Sequence, residues 1–357
     1  MKIHYITSGK VFILALSIIV FSCKKPPEEK PIDKDSVFNI WVLNEGVWNM
    51  NNGSITGYNT GTNKQIEDLY STVNNGQQLG DVANDIQIYG LKAYIAVNTS
   101  SHIDILDIKG VSIKRLHLTP NSMPRKIACY NGKIYVCCFD GSVVKIDTAS
   151  LQVEASVKAG RNPDGICVAN NKLYVSNSGG LEFETGNYDN SISVFDLNTF
   201  SEIKKITVRI NPTKIKADKY NNVYVVSNGN YYDISPCLQR INSTTDELVQ
   251  VFDIEATAFD IYNDYLYFYT YDYSNGNASY QILDLLQDSI INKNFISEGN
   301  LPQSPYGINI NPHNGDIYIT NAPYTTTGEV YCFDRNGKKK FRFEAGFFPS
   351  KTVVIND

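Results

Sequence analysis

Short apolar segments alternate with polar turns along almost the whole chain after residue 36. The apolar segments are rich in Val, Ile and Tyr, and Asn-Gly, Asp-Gly and similar turn pairs separate them. This alternation is typical of antiparallel β-strands. No segment of this region follows the period of an amphipathic helix. The pattern therefore predicts an all-β domain.

Four segments share a longer pattern, in which a Pro is followed by an apolar residue three positions later, a tight turn and a Tyr-centred strand. They are MPRKIACYNGKIYVCC from Met123, NPDGICVANNKLYVSN from Asn162, NPTKIKADKYNNVYVVSN from Asn211 and SPYGININPHNGDIYITN from Ser304. Two looser copies pair Ile86 with Tyr94 and Phe259 with Tyr267. Repeats of this length with several strands each indicate the blades of a β-propeller.

The first and last repeats are incomplete in complementary ways. A third strand ends in Asp or Asn in seven places, at Asn59, Asp107, Asp147, Asp196, Asn242, Asp284 and Asp334. Only six first strands precede them, because the first repeat begins at VFNIWVLN with Trp41 in the Tyr position. The missing strand matches the C-terminal FPSKTVVIND, which aligns with MPRKIACYNG. We therefore predict a seven-bladed β-propeller over residues 37–357, closed by pairing of the C-terminal strand with the N-terminal blade.

The residues before the propeller are predicted to export and anchor the chain. Residues 1–22 combine basic residues with an apolar stretch too short to span a bilayer, which is typical of a signal peptide. The following Ser22-Cys23 resembles a bacterial lipoprotein cleavage site, with Cys23 as the lipidated residue; the alternative is an ordinary secretory signal. Residues 23–36 are charged and Pro-rich and are interpreted as a flexible, lipid-anchored tether.

Composition and charge narrow the function. The net charge is −5 and the basic residues are dispersed, so nucleic acid is not an expected partner. The other six cysteines have no metal-ligand spacing and are interpreted as core residues, with a disulfide left open. The three histidines of the domain, with His102 interpreted as a loop residue, form no catalytic pattern. We expect no catalytic residues, no bound metal and no required cofactor, although Glu45 at the channel mouth is a candidate calcium ligand.

Candidate ligand-binding residues lie on the face formed by the loops between second and third strands and by the starts of the inner strands. Loop aromatic residues have no blade period to explain them, and loops on rigid scaffolds commonly carry recognition. The loop candidates are Trp48, Asn49, Phe183, Tyr188, Tyr231, Tyr232, Tyr271, Tyr273 and Tyr324. The candidates at the starts of the inner strands are Asn84, Arg125, Asp164 and Tyr306, in a ring that also contains Lys214, Thr257 and Ser350. The alternative is that the aromatic residues only pack the blades against one another.

Three stretches carry a resemblance to a known family: NEGVWNMNNGSITGYN from Asn44, QQLGDVANDIQI from Gln77, and the last blade from NPHNGDIYITNA to FFPS. They resemble the exported YncE-like propeller lipoproteins of Bacteroidetes, most closely the BtuG branch, which captures vitamin B12. The resemblance covers the chain from about Val37 to its end. It implies a lipid-anchored propeller in the outer membrane, exposed at the cell surface, which binds cobalamin or a related corrinoid and passes it to a TonB-dependent transporter.

Other functions remain open at this point. The segment after Cys23 lacks the acidic cluster typical of surface-exported lipoproteins of this phylum, so display on the periplasmic face is the alternative location. The propeller could instead bind a glycan or a protein partner, or act as a calcium-dependent lactonase-type hydrolase.

Overall fold

A computed structural model describes residues 38–296 and 301–355. Within these ranges, 28 strands form seven four-stranded antiparallel sheets. The innermost strand of each sheet contacts that of the next sheet, and the series closes on itself. The all-β, seven-bladed propeller predicted from the repeats is confirmed. The predicted signal peptide, the tether with Cys23, and residues 356–357 lie outside the described residues.

The strands follow the predicted blade order. Blade 1 contains β1 (Ile40–Asn44), β2 (Ser54–Tyr58), β3 (Gln65–Ile66) and the last strand of the chain, β28 (Pro349–Val354). Blade 2 contains β4 (Ala83–Tyr89), β5 (Lys92–Val97), β6 (His102–Asp107) and β7 (Ser112–His117), and blade 3 contains β8 (Pro124–Tyr130), β9 (Lys133–Cys138), β10 (Ser142–Asp147) and β11 (Val153–Lys158). Blade 4 contains β12 (Pro163–Ala169), β13 (Lys172–Asn177), β14 (Ser191–Asp196) and β15 (Ser201–Thr207). Blade 5 contains β16 (Pro212–Ala217), β17 (Asn222–Ser227), β18 (Cys237–Asn242) and β19 (Glu247–Phe252). Blade 6 contains β20 (Ala258–Tyr262), β21 (Tyr265–Asp272), β22 (Asn277–Asp284) and β23 (Ser289–Asn292), and blade 7 contains β24 (Pro305–Ile310), β25 (Ile317–Asn321), β26 (Glu329–Phe333) and β27 (Lys339–Glu344).

The ring closes as the terminal repeats predicted. Strand β28 pairs antiparallel with β1, in a register that places Trp41 opposite Val353 and Val42 opposite Thr352. The ladder continues at both ends, where Glu45 N donates to Phe348 O (2.9 Å) and Ile355 N donates to Asn39 O (2.8 Å). Blade 1 is therefore built from both ends of the described chain, and its first strand is the last in sequence.

The repeated tyrosines are packing residues. Each lies on the second strand of its blade, and all are at least 96% buried: Tyr94, Tyr135, Tyr174, Tyr224, Tyr267 and Tyr318, with Trp41 in the same position of blade 1. The repeated Asp and Asn residues have a local role. Asp107 Oδ1, for example, accepts hydrogen bonds from the backbone N–H groups of Lys109 and Val111 (2.8 and 2.9 Å). Such Asx turns direct the chain from the third strand into the fourth.

Three local features differ from the sequence expectations. A short helix, α1 (Leu69–Val73), follows β3; its N-cap Asp68 accepts a hydrogen bond from Ser71 N, and its Leu69 and Tyr70 are buried. A 3₁₀ helix (Gly180–Thr185) occupies the blade 4 loop. The predicted long loop of blade 6 is largely an extension of the β21–β22 hairpin, with Tyr271 opposite Ala278. Helix α1 was not predicted because five residues are too few to show a helical period.

The six cysteines after Cys23 are all free: Cys129, Cys137, Cys138, Cys167, Cys237 and Cys332. Four of them are buried, and burial raises the pKa of the Cys138 and Cys332 thiols to about 12. They therefore behave as small core residues, as predicted.

Removal of residues 352–357 should destabilise the whole propeller. The truncation removes the partners of the β1 backbone groups that bond to residues 352–354, and each buried N–H or C=O group left unpaired costs about 1–3 kcal/mol. We expect the thermal unfolding transition to fall by more than about 5 °C, measured by differential scanning calorimetry. A control that lacks only residues 356–357 should unfold at nearly the wild-type temperature. An unchanged transition in the longer truncation would contradict closure through β28.

Candidate functional site

An open cavity of about 1450 Å³ extends from the loop face into the central channel. Its floor is formed by the innermost strands of the blades, and its rim by the loops that join the second and third strands. Nine of the predicted ligand-binding residues line it: Arg125, Asp164, Phe183, Tyr188, Tyr231, Tyr232, Tyr271, Tyr273 and Tyr306. Concave sites of this kind, with mixed apolar and polar walls, are the usual location of ligand binding.

Five polar side chains from five consecutive blades form a hydrogen-bonded arc around the channel mouth. Tyr306 OH donates to Glu45 Oε2 (2.8 Å), and Asn84 Nδ2 donates to Glu45 Oε1 (3.0 Å). Arg125 Nη1 donates to Asn84 Oδ1 (2.7 Å), and Arg125 Nε donates to Asp164 Oδ1 (2.8 Å). We call these residues the mouth ring. Because every member is held by its neighbours, the ring presents a fixed set of polar groups.

A β-bulge at the start of the inner strands orients four of the five mouth-ring residues. The pairing register shifts at the start of five innermost strands and also in β28, so that one residue bulges out of the ladder. Asn84, Arg125, Asp164 and Tyr306 all occupy this bulged position. Bulges commonly redirect side chains next to functional sites. In blade 5 the equivalent residue is Thr213, so Lys214 lies one position deeper than predicted.

Electrostatics within the mouth ring keep Arg125 charged and Tyr306 protonated at neutral pH. Burial of the Arg125 guanidinium disfavours its charge, but the Asp164 and Glu45 carboxylates outweigh this and raise the pKa of Arg125. The guanidinium also lies 4.4 Å above the centre of the Phe139 ring, a cation–π contact. Burial and the Glu45 carboxylate together raise the pKa of Tyr306 well above its usual value. Tyr306 is therefore a hydroxyl donor at neutral pH.

Blades 4, 5 and 6 supply an aromatic wall on one side of the cavity. It consists of Phe183, Tyr188, Tyr231, Tyr232, Tyr271 and Tyr273. Tyr188 packs edge-on against Tyr231, and Tyr271 against Tyr273, with ring centres 6.3 and 4.8 Å apart. Tyr232 is the most exposed, at 93%. Exposed aromatic rings that support each other provide flat contact surfaces at low entropic cost.

The structure places the other predicted residues apart from the cavity wall. Trp48 is 71% exposed at the tip of the blade 1 loop, and Asn49 N donates to Asp81 Oδ2 (3.0 Å) on the way into blade 2. Tyr324 packs against Tyr306 and Phe348, with ring centres 6.4 and 5.7 Å away, so it contacts the mouth ring through Tyr306. Asn84 is 99% buried and contributes to the site through its two mouth-ring hydrogen bonds.

Some cavity residues were not predicted. Phe139 lies in the short blade 3 loop, where its single aromatic residue gave no reason to select it. The channel below the mouth ring is lined by Lys126, Lys214, Lys216 and Lys351, with Asp85 and Asp260. These residues are spread over the chain, and only the blade register brings them together.

His102 and Glu45 each contact neighbouring groups within the propeller. His102 is the first residue of β6 and is buried, so its interpretation as a loop residue was wrong. Burial and the nearby Arg115 guanidinium lower the pKa of His102 to about 4, so it is neutral at pH 7. Among residues 38–296 and 301–355, no three His, Cys, Asp or Glu side chains are grouped so as to hold a metal ion. Both carboxylate oxygens of Glu45 already accept mouth-ring hydrogen bonds.

Comparison with solved structures defines the class of the molecule as a seven-bladed β-propeller. The chain is similar to Kuenenia stuttgartiensis hydrazine synthase, with a TM-score of 0.61 and 16% identity over 77% of this chain and 95% of that one. It is also similar to the Pan2 WD40 domain of Neurospora crassa, with a TM-score of 0.55 and 12% identity over 76% of this chain and 81% of that one. At these identities the similarity shows the fold alone. No family model and no curated protein matches the chain.

No helix in the described ranges is long and apolar enough to cross a membrane.

The mouth ring should contribute to stability through the Arg125–Asp164 pair. Its side chains are 22% and 13% exposed, so Arg125→Met leaves a largely buried carboxylate without its cation. We expect a loss of about 3 kcal/mol in the free energy of unfolding, measured by urea denaturation. The matched control, Lys158→Met, breaks an ion pair with Asp140 in which the lysine is 70% exposed, and should cost less than about 1 kcal/mol. Equal losses in the two variants would contradict this assignment.

Proposed function

We propose that the protein is a non-enzymatic capture protein that binds cobalamin or a related corrinoid in the cavity on the loop face. In this proposal, a lipid on Cys23 anchors it to the outer membrane at the cell surface, and a TonB-dependent transporter receives the ligand. The observation that carries the proposal is the combination of a preformed cavity of about 1450 Å³, an aromatic wall on one side and the mouth ring on the other.

The chemistry of a corrinoid fits this combination. A corrinoid is a large, flat macrocycle fringed with amide side chains, and cobalamin also carries a phosphate. The rings of Tyr231, Tyr232 and Tyr271 offer apolar faces to a macrocycle. For amides, Arg125 is a donor, and the Tyr306 hydroxyl oxygen and the Asp164 carboxylate are acceptors. The groups of the mouth ring are already held by hydrogen bonds, so binding orders few side chains, and less free energy is lost on association.

The resemblance to the YncE-like lipoproteins adds support from a separate direction. Two of the three stretches that carry it provide Glu45 and Asn84, which hydrogen bond to each other in the mouth ring. The third ends with FFPS, in which the carbonyl oxygens of Phe347 and Phe348 accept from Gly46 N and Glu45 N (3.1 and 2.9 Å). The resembling segments therefore adjoin one another at the cavity mouth.

Calorimetric titration of residues 24–357 with cyanocobalamin tests the ligand. We expect one-to-one binding, and we expect Tyr231→Ala combined with Tyr232→Ala to raise the Kd by about 30-fold, which corresponds to about 2 kcal/mol for the loss of an aromatic binding surface. The control is Tyr220→Ala, which removes a half-exposed tyrosine from the β16–β17 turn, away from the second-to-third-strand loops. It should leave the Kd unchanged.

Absence of heat and of co-elution with the red ligand would remove the corrinoid assignment and direct the search to glycans and protein partners. Binding that is equally strong in the double variant would place the ligand elsewhere on the molecule. Hydrolysis of a lactone that is lost on chelation of calcium would instead favour an enzyme.

A further inference from the structure

The channel below the mouth ring contains one layer with an excess of positive charge. Each innermost strand contributes one residue to this layer, two positions before the residue that pairs with the repeated Tyr or Trp. The seven residues all line the cavity: Asp85, Lys126, Gly165, Lys214, Ala258, Gly307 and Lys351. We call them the second channel layer. It contains three lysines and one aspartate, whereas the whole chain carries a net charge of −5.

Among the residues that the structure describes, only one of these lysines forms an ion pair with a carboxylate. Lys351 Nζ lies 2.7 Å from Asp85 Oδ1. Lys126 Nζ donates to the backbone oxygen of Asn84 (2.6 Å), which leaves its charge uncompensated. Lys214 has neither a hydrogen bond nor an ion pair with any residue that the structure describes. The layer therefore holds two ammonium groups in excess.

The next layer supplies only the Asp260 carboxylate, which interacts with Lys214 but is shared with another lysine. Its lysine, Lys216, forms an ion pair with Asp260, and Asp260 Oδ2 also accepts from Ile310 N (2.9 Å). In the mouth ring above, Asp164 is occupied by Arg125, and Glu45 accepts from Tyr306 and Asn84. The carboxylates around the second channel layer are therefore already bonded to other groups.

Lys126 and Lys214 both line the open cavity that extends into the channel. Lys126 and Lys214 belong to blades 3 and 5, and the blade between them contributes Gly165. A Cβ atom at this position would lie 2.1 Å from the Thr213 carbonyl oxygen, so close approach of the blades requires glycine. Blade 4 therefore contributes no side chain to this layer, and its backbone packs directly against blade 5.

An uncompensated ammonium group in a partly desolvated channel is costly. Burial, and the nearby charges of Lys216, Lys351 and Lys126, lower the pKa of Lys214 to about 8 despite the opposing effect of Asp260. The group is nevertheless mostly charged at pH 7. An anion bound next to the Lys214 ammonium group would lower the free energy of this arrangement.

We propose that the second channel layer binds a small dianionic oxyanion of the sulfate and phosphate class, held by the ammonium groups of Lys126 and Lys214. One N–H of Lys126 is already donated to Asn84 O, so the two ammonium groups provide up to five further N–H donors, which matches an oxyanion with several acceptor oxygens. The site lies deeper than the aromatic wall, and its occupation does not depend on the identity of a larger ligand.

Titration with sulfate tests this proposal without any corrinoid. Calorimetry of residues 24–357 at pH 7, with ionic strength held constant by sodium chloride, should show saturable one-to-one binding. Lys214→Met should weaken this binding by at least tenfold. Lys109→Met, which removes an exposed lysine of the blade 2 outer turn, is the matched control and should bind sulfate as the wild type does.

Two further readouts separate binding from general salt effects. Because sulfate keeps its charge between pH 7 and pH 9 while Lys214 loses its proton near pH 8, the affinity of the wild type should fall across this interval. In buffer without sulfate or phosphate, Lys214→Met should unfold at a higher temperature than the wild type, because it removes a partly buried charge that forms no ion pair among the described residues. If Lys214→Met does not fold, Lys126→Met provides the same test of affinity.

Phosphate that competes with sulfate for one site would support the assignment to the oxyanion class. The absence of saturable binding in the wild type would overturn the proposal. Binding weakened equally by Lys109→Met, or unaffected by either channel variant, would also overturn it.

Discussion

The pairing of β28 with β1 is the interaction on which the rest of the structure depends. It completes blade 1, and it also fixes the positions of the residues on either side of that blade. Tyr306 and Glu45 are 261 positions apart, yet their side chains hydrogen bond at the channel mouth. Glu45 is in turn held through its backbone by Phe348, next to the closing strand. Closure of the ring therefore also brings Tyr306 of blade 7 to Glu45 of blade 1 and completes that end of the mouth ring.

Much of the fold could be predicted from the sequence because equivalent positions in the blades have similar surroundings. A position such as that of Tyr135 or Tyr174 meets the same surroundings in every blade, so one residue type recurs there and reveals the period. Features that occur in only one blade produce no repeat in the sequence. Helix α1 is too short to show a period, and the β21–β22 extension resembles a loop because its residues are polar and aromatic. The bulge that separates Thr213 from Lys214 is set by pairing across strands, which one strand alone does not specify.

The candidate site combines two kinds of surface with different origins. The aromatic wall lies on loops and hairpin tips, where no blade period restricts the residues, and for that reason aromatic residues could be selected there from the sequence. The mouth ring lies on the innermost strands, where the bulge fixes the direction of each side chain and neighbouring blades limit its movement. Residue type alone did not identify the cavity-lining residues correctly at Trp48. This residue is a loop aromatic on the same face, but its loop turns toward blade 2 and away from the cavity.

The channel shows why net charge is a poor guide to local binding. The chain is acidic overall, but solvent and salt screen the exposed carboxylates, whereas the lysines of the channel are surrounded by protein. The excess positive charge comes from Lys126 and Lys214, which form no ion pair with a carboxylate in the part of the chain that the structure describes. An oxyanion in this layer and a larger ligand against the aromatic wall would occupy one continuous cavity. Thermodynamic linkage requires that any effect of the first on the affinity of the second be matched by an equal effect in the other direction.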